Sequence, residues 1–323
     1  MRNKKIDSNR IFNYSIYIVL ALIFIVFSIG SQNFLTLRNV YGTMLNGSPL
    51  IIITCAVTFA LLTGVIDLSV GAIGYAAGCL SGILIGNFGT PLVLAFLAGI
   101  ALALAIGWLN CLLMVKFKMK PMLVSLGMML IIRAVAKIIT DDKTISLGES
   151  VSGLRQAKIA ALEGFPILLI GVILIVIICS IVLKRTPFGR KLLAVGGNEK
   201  VARNIGINTD RVKGAALIIC AGLCGVAGCY WIVTLGSVVT TGLISYEFLA
   251  IAAAVLGGTS LHGGRGTFYP SSFIGALILL FIGSGMAVMG ISPNIIPFVR
   301  GIIIFIAMYI DSLRTRAIMS SVA

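Results

Sequence analysis

From Leu94 to Val115 the chain reads LAFLAGIALALAIGWLNCLLMV, apolar on every face of a helix. A run of that length matches the roughly 20 residues that a helix needs to cross the hydrocarbon of a bilayer. A spanning β-barrel would instead show polar and apolar residues alternating in stretches of about ten, so the run predicts a transmembrane helix. Similar runs follow one another along the chain. Of its 323 residues 59% are hydrophobic and 11% charged, more apolar surface than a water-soluble globule of this size can hide. The expected fold is an all-α polytopic membrane protein, one domain over residues 1–323.

Apolar runs between polar breaks give ten candidate spans, at 14–29, 49–62, 68–85, 92–115, 122–139, 165–183, 215–235, 248–256, 273–289 and 295–310. The basic stretch MRNKKIDSNR precedes the first without a small-residue cleavage site, and reads as the flank of a retained span. With the N-terminus in the cytoplasm, the inside segments hold eighteen of the 25 lysines and arginines. That is the asymmetry of the positive-inside rule, and an even number of spans puts both termini inside. It also accounts for the net charge of +15 without nucleic acid. Two places depart from simple spans: 248–256 is too short to cross, and the break GVID between the second and third spans is hardly a loop. Interrupted segments are tolerated where they face protein or a water-filled cavity, so both breaks point to a pathway.

Gly74, Gly78, Gly82 and Gly86 recur every four residues, as do Gly99, Ala103 and Gly107; such ridges let helix backbones approach closely in lipid. Asp67 and Glu247 each begin an apolar run. Either carboxylate is held by the free N–H groups of a helix start, or it lines a translocation cavity or gate, given the cost of charge in hydrocarbon; both readings stay open. Arg133, Lys137 and Arg300, near outer span ends, read as cations snorkelling to headgroups. The seven cysteines fall in apolar runs with no C-x-x-C pair, and read as small core residues rather than metal ligands or disulfides. His262 stands alone in GGTSLHGGRG, with no partners for catalysis or metal binding. That loop is not a phosphate cradle, because G-x-x-x-x-G-K-[ST] is required and the dipeptide GK occurs nowhere. ATP hydrolysis, and any cofactor, is therefore expected outside this chain.

The longest polar interior stretch is TPFGRKLLAVGGNEKVARNIGI, within a cytoplasmic segment of about 184–213. RKLLAV and NEKVARNIGI have helix-forming composition; Gly196 and Gly197 break the first, and Asn198 is placed to N-cap the second. Two short helices across the cytoplasmic face make a basic docking surface.

These pieces carry a resemblance. The chain is similar to the permease subunits of the simple-sugar (ribose-type) branch of bacterial ABC importers, through GVIDLSVGA, NCLLMVKFKMKPMLVSLG, the stretch from Thr186 to Asn208, AIAAAVLGGTSLHGGRGTF and the closing apolar run to Asp311. The resemblance implies that Thr186, Gly189, Arg190, Gly196, Gly197, Asn198, Ala202 and Gly206 belong to a coupling segment seated in an ATP-binding subunit. Lys200 and Val201 depart from the E-A-A element usual there. It further implies that Asp67, Ser69 and Gly71 serve helix packing and the gate; Asn110 and Glu247 join Asp67 and Ser69 as candidates for the translocation pathway or its gate. The implied partners are a cytoplasmic ATP-binding subunit, a periplasmic or lipid-anchored sugar-binding protein, and a second permease, in a bacterial inner membrane. The competing expectation is an ion-gradient-driven secondary transporter of a small neutral solute, which wants intramembrane acids for its coupling ion.

Overall fold

A computed structural model describes residues 8–159, 163–292 and 294–322, with side chains placed between Ile16 and Tyr309 except at Ala307. The cations at 2, 4 and 5, and the side chains of Arg10, Arg314 and Arg316, which the charge argument counts as cytoplasmic, lie outside the described residues.

The described residues are mostly helical: α1 Ser8–Gly30, α2 Leu37–Asn46, α3 Ser48–Leu62, α4 Val70–Gly86, α5 Leu92–Cys111, α6 Pro121–Ile139, α7 Ser152–Gln156, α8 Ile167–Arg185, α9 Pro187–Gly197, α10 Glu199–Asn204, α11 Thr209–Leu235, α12 Tyr246–Leu256, α13 Phe273–Val288 and α14 Ile295–Val322. Among the described residues five helical segments are long and apolar enough to cross a membrane, six if α2 and α3 count as one bent span, and four shorter apolar helices accompany them. Every run expected from the sequence is helix, and the all-α polytopic class holds. Among the described residues two-residue strands form two small antiparallel pairs: β1 Ile145–Ser146 with β4 Ser237–Val238, and β2 Lys158–Ile159 with β3 Phe165–Pro166.

Helix α11 is the axis, with α3, α4 and α5 packed around it. Backbones meet where the glycine ridges lie. A Cβ on Gly228 of α11 would stand 2.9 Å from the Gly78 nitrogen, and one on Gly99 of α5 would stand 2.6 Å from the Ala77 carbonyl oxygen. Only glycine permits that approach, and dispersion between the touching helices replaces the hydrophobic drive that lipid withholds. Helix α3 is apolar on all sides and buried at every residue. Large apolar side chains stand exposed on α5, α6 and α8, among them Leu97, Leu130 and Ile177.

Three breaks shape the bundle. Between α2 and α3 the axis turns 47° at Gly47, with Pro49 in the first turn of α3; proline suits a helix start and forbids continuation through it. Between α3 and α4, Thr63 to Ser69 is non-helical, with Gly64 at φ +77. Before α12 the chain turns back through Leu243 and Ser245, both at positive φ, so α12 starts within the protein, and its length fits the short segment expected there.

Candidate functional site

The end of the bundle that carries α9 and α10 also holds the Gly-rich turn after α12, and Lys116 lies there beside the start of α11. Thr186 caps α9, its Oγ1 accepting from the Gly189 N–H at 3.2 Å. Asn198 caps α10 by accepting from Val201 N–H at 3.1 Å, and Asn208 caps α11 from Arg211 N–H at 3.0 Å. Three capped starts in about 25 residues fix the path of a tight two-helix elbow. Gly189 sits where a Cβ would stand 2.6 Å from the Leu183 carbonyl carbon, which folds α9 back on α8. Gly206 ends α10 at φ +84, the left-handed geometry that glycine supplies after a helix. Ala202 is buried beneath α10.

Ion pairs lock the elbow to the foot of α11. Lys213 Nζ donates to Glu199 Oε2 at 2.6 Å, and Arg203 reaches Glu199 at 3.2 Å, Asp210 at 3.5 Å and the Thr209 hydroxyl at 2.9 Å. The Lys213 hydrogen bond, more than any other influence, holds the Glu199 carboxyl below its ordinary 4.5. Outward from this locked base stand Arg190, Lys191 and Lys200, with Val201 and Ile205 exposed at 53% and 68%. An exposed apolar pair framed by cations fits a partner protein better than water.

Behind the elbow three glycine turns from distant parts of the chain meet. Gly264 N–H donates to the Leu62 carbonyl at 3.0 Å. A Cβ on Gly196 would overlap that carbonyl oxygen and stand 2.5 Å from the Gly264 nitrogen; one on Gly263 would stand 2.7 Å from the Gly64 nitrogen. The last turn of α9 thus bears on the end of α3, backbone to backbone, where the break leading to Asp67 begins.

In that break Asp67 is buried, its Oδ1 accepting from Ser69 N–H at 2.8 Å and from the Ser69 hydroxyl at 2.6 Å. Asn110 on α5 donates its Nδ2 to the same hydroxyl oxygen at 2.9 Å, and its Oδ1 is buried without a hydrogen bond. The structure therefore joins Asp67, Ser69 and Asn110 in one chain bridging the α3–α4 break to α5. Glu247 belongs to another cluster. On the first turn of α12 it lies 3.6 Å from Arg133, with Gly71 against its carboxylate.

Arg133 is a correction. Its guanidinium does not reach the headgroups: it donates to the carbonyls of Gly242 at 3.1 Å and Leu243 at 2.8 Å and lies 5.7 Å from the Tyr75 ring centroid. The sharp turn before α12 leaves carbonyls with no helical partner, and an arginine fork satisfies two of them at once. Arg300 likewise turns inward, where a Cβ on Gly283 would stand 2.7 Å from its Nη2. Lys137, paired with Asp142 at 3.6 Å and well exposed, keeps its surface reading. Opposite charges in an apolar chain were the only hint to the Arg133–Glu247 pairing; the carbonyls that Arg133 holds have no signature in the sequence.

A protein-family model described as branched-chain amino acid transport system / permease component matches residues 39–308. The ribose import permease protein RbsC of Bacillus subtilis (strain 168) is 35% identical over 296 residues, 91% of each chain. The protein of that name from Escherichia coli (strain K12) is 32% identical over 302 residues, 92% of each. The L-arabinose transport system permease protein AraH of E. coli (strain K12) is 33% identical over 311 residues, 94% of this chain and 92% of the relative. No solved structure matches this chain.

Proposed function

The chain belongs to the family of permease components of the branched-chain amino acid transport system type, and we propose that it carries a monosaccharide inward, driven by ATP hydrolysis in a partner subunit. The observation that carries the coupling reading is the elbow itself. A basic surface with an exposed apolar pair, locked by Glu199, Arg203 and Lys213, ends in a glycine that presses on the Leu62 carbonyl. An ATP-binding subunit seated there would move α9 and with it the end of α3. Two copies of the permease, or this chain and a related one, would rock between inward and outward access. A binding protein would deliver sugar at the opposite end. The elbow, the termini and the Gly-rich turn of α12–α13 are assigned to the cytoplasm of a bacterial cell by their cations.

The relatives are named for ribose and L-arabinose, both monosaccharides. A gradient-driven transporter finds less support, because among the described residues the two buried carboxylates lie in separate clusters, Asp67 bound to Ser69 and Glu247 beside Arg133. The test is the assembled complex in proteoliposomes. Arg190→Glu and Gly206→Trp are expected to abolish ATP-dependent uptake and co-purification of the ATPase while the chain still inserts. Normal assembly and uptake in both variants would refute the coupling assignment, and uptake driven by an ion gradient without ATP would refute the whole reading.

A further inference from the structure

At the end of the bundle opposite the elbow lies a cleft of about 850 Å³ whose lining includes Arg38, Asn39, Thr43, Asn46, Ser284 and Arg300. Its size suits a small solute. Its chemistry is foreign to the apolar helix α13 that forms one wall, and a polar concavity is not stable against lipid tails. The lining is ordered. Thr43 donates its hydroxyl to Ser284 Oγ at 2.8 Å, and Ser284 donates to Asn39 Oδ1 at 3.1 Å, latching α2 to α13. Arg300 faces the same space with its Nε buried and without a hydrogen-bond partner. Tyr246, the first residue of α12, also lines the cleft, so the cleft reaches the start of the short helix.

We propose that this cleft is the outer half of the translocation path and that it binds a neutral polyhydroxylated solute of monosaccharide size, with Arg300 as the donor that selects it. Amides and hydroxyls both give and accept hydrogen bonds, as sugar hydroxyls do, and they dominate the lining. Two guanidiniums and no carboxylate line it among the described residues. Donors of that kind hold a hydroxyl oxygen well, whereas a carboxylate between two guanidiniums would be held too firmly to move on. Arg300 is set apart from a surface cation by Gly283, because any side chain there would displace its Nη2.

This inference rests on the permease reading, and its test separates the two. All seven native cysteines are free; six are buried, and the seventh, Cys111, lies near the elbow end beside Lys116. Ser284→Cys adds one thiol to the cleft with little change of shape. In intact cells expressing the whole transporter, a membrane-impermeant methanethiosulfonate added outside is expected to label Ser284→Cys and to cut uptake of radiolabelled D-ribose or L-arabinose at least about tenfold, leaving the wild-type chain unaffected. Millimolar pentose should slow the labelling, and the matching aldonate should not. Arg300→Gln should lower uptake about tenfold, the loss of one charge-assisted hydrogen bond, at unchanged membrane abundance. Absence of labelling from outside, labelling without loss of uptake, or protection by aldonate in preference to pentose would overturn the proposal. If the cleft is labelled and protected but uptake is independent of the ATP-binding subunit, the permease mechanism fails and the solute site stands.

Discussion

Gly196 and Gly197 are neighbours at the end of α9, and their environments differ enough to make a paired experiment. A methyl group on Gly196 would overlap the Leu62 carbonyl oxygen and stand 2.5 Å from the Gly264 nitrogen and 2.9 Å from the Leu62 carbonyl carbon; a methyl on Gly197 would meet nothing within 4 Å. Carbon contacts are comfortable at about 3.5–4.0 Å, so Gly196→Ala must part α9 from α3 by roughly 1 Å. All three neighbours are backbone, and no side chain can swing aside to relieve the overlap. Overpacking of this kind costs about 1–3 kcal/mol, which corresponds to about 5–150-fold in the balance between a seated and an unseated α9. Gly197→Ala should be neutral or stabilising by up to about 1 kcal/mol, since alanine loses less chain entropy than glycine. The assay is ATP-driven pentose uptake by the reconstituted complex, alongside the melting temperature of the purified chain and the amount of ATPase retained on it. Gly196→Ala is expected to keep the ATPase, because the caps at Thr186 and Asn198 are untouched, while losing most uptake. Gly197→Ala should match the wild type. Equal uptake and equal melting in the two variants would refute a hard contact between elbow and α3.

Arg133→Met strips two carbonyls of their donor and leaves Glu247 without its cation; breaking a buried pair in this way costs about 3–5 kcal/mol, read as a lowered melting temperature, and adding Glu247→Gln should restore part of it. A double-mutant cycle showing no coupling would contradict the Arg133–Glu247 pairing. The Glu199 carboxyl lies below its ordinary 4.5 in the folded protein, so its stabilising effect is full above the unfolded value and fades as the pH falls through the folded one. Since Glu199 is partly exposed, the effect stays below about 1 kcal/mol. The melting-temperature gap between wild type and Glu199→Gln should be constant from pH 6 to 8 and close below about pH 4; a gap that widens in acid would reverse the assignment. Gly206→Ala places a Cβ at φ +84 and should destabilise the elbow by about 1–2 kcal/mol, seen as faster proteolysis at Asn204 to Asn208.

The helices were legible because hydrocarbon accepts so few alternatives: any run apolar on all sides and long enough must be a helix. Helix α2 escaped notice because LRNVYGTMLN is half polar and resembles a loop until its polar side is seen to line a cleft. Asn198 was readable as a cap, and Gly196 and Gly197 as the end of the helix before it, since capping is local chemistry. Arg133 was misread because what satisfies it, the carbonyls of Gly242 and Leu243, lies more than a hundred residues away. The same distance hid the meeting of Gly64, Gly196 and Gly263. Each is a plausible turn glycine by itself, and only their convergence shows a bearing between helices.

Helix α3 connects the two ends on which these inferences rest. All of its fifteen residues, Ser48–Leu62, are buried, and at 1.5 Å per residue it is about 22 Å long. Its hydroxyls are satisfied within the protein, Thr54 donating to the Leu50 carbonyl at 2.7 Å and Thr58 meeting Ser272 at 2.8 Å. A helix enclosed at interior packing density deforms little, so a push on the Leu62 carbonyl by α9 is expected to shift α3 as a rod and to be felt at Gly47, where the 47° bend leads into α2 and the cleft. Gly47 lies against the Leu280 side chain, which leaves no room for a branched residue. Gly47→Val should therefore jam the bend without touching the elbow: the ATPase remains bound and hydrolyses ATP near the wild-type rate, and uptake falls at least about tenfold, as expected if about 1.4 kcal/mol or more of coupling is lost. Gly196→Ala breaks the chain of contacts at its other end, and there stimulation of hydrolysis by solute should be lost together with uptake. If Gly47→Val transports normally, α3 does not carry motion from the elbow to the cleft, whatever each end does alone.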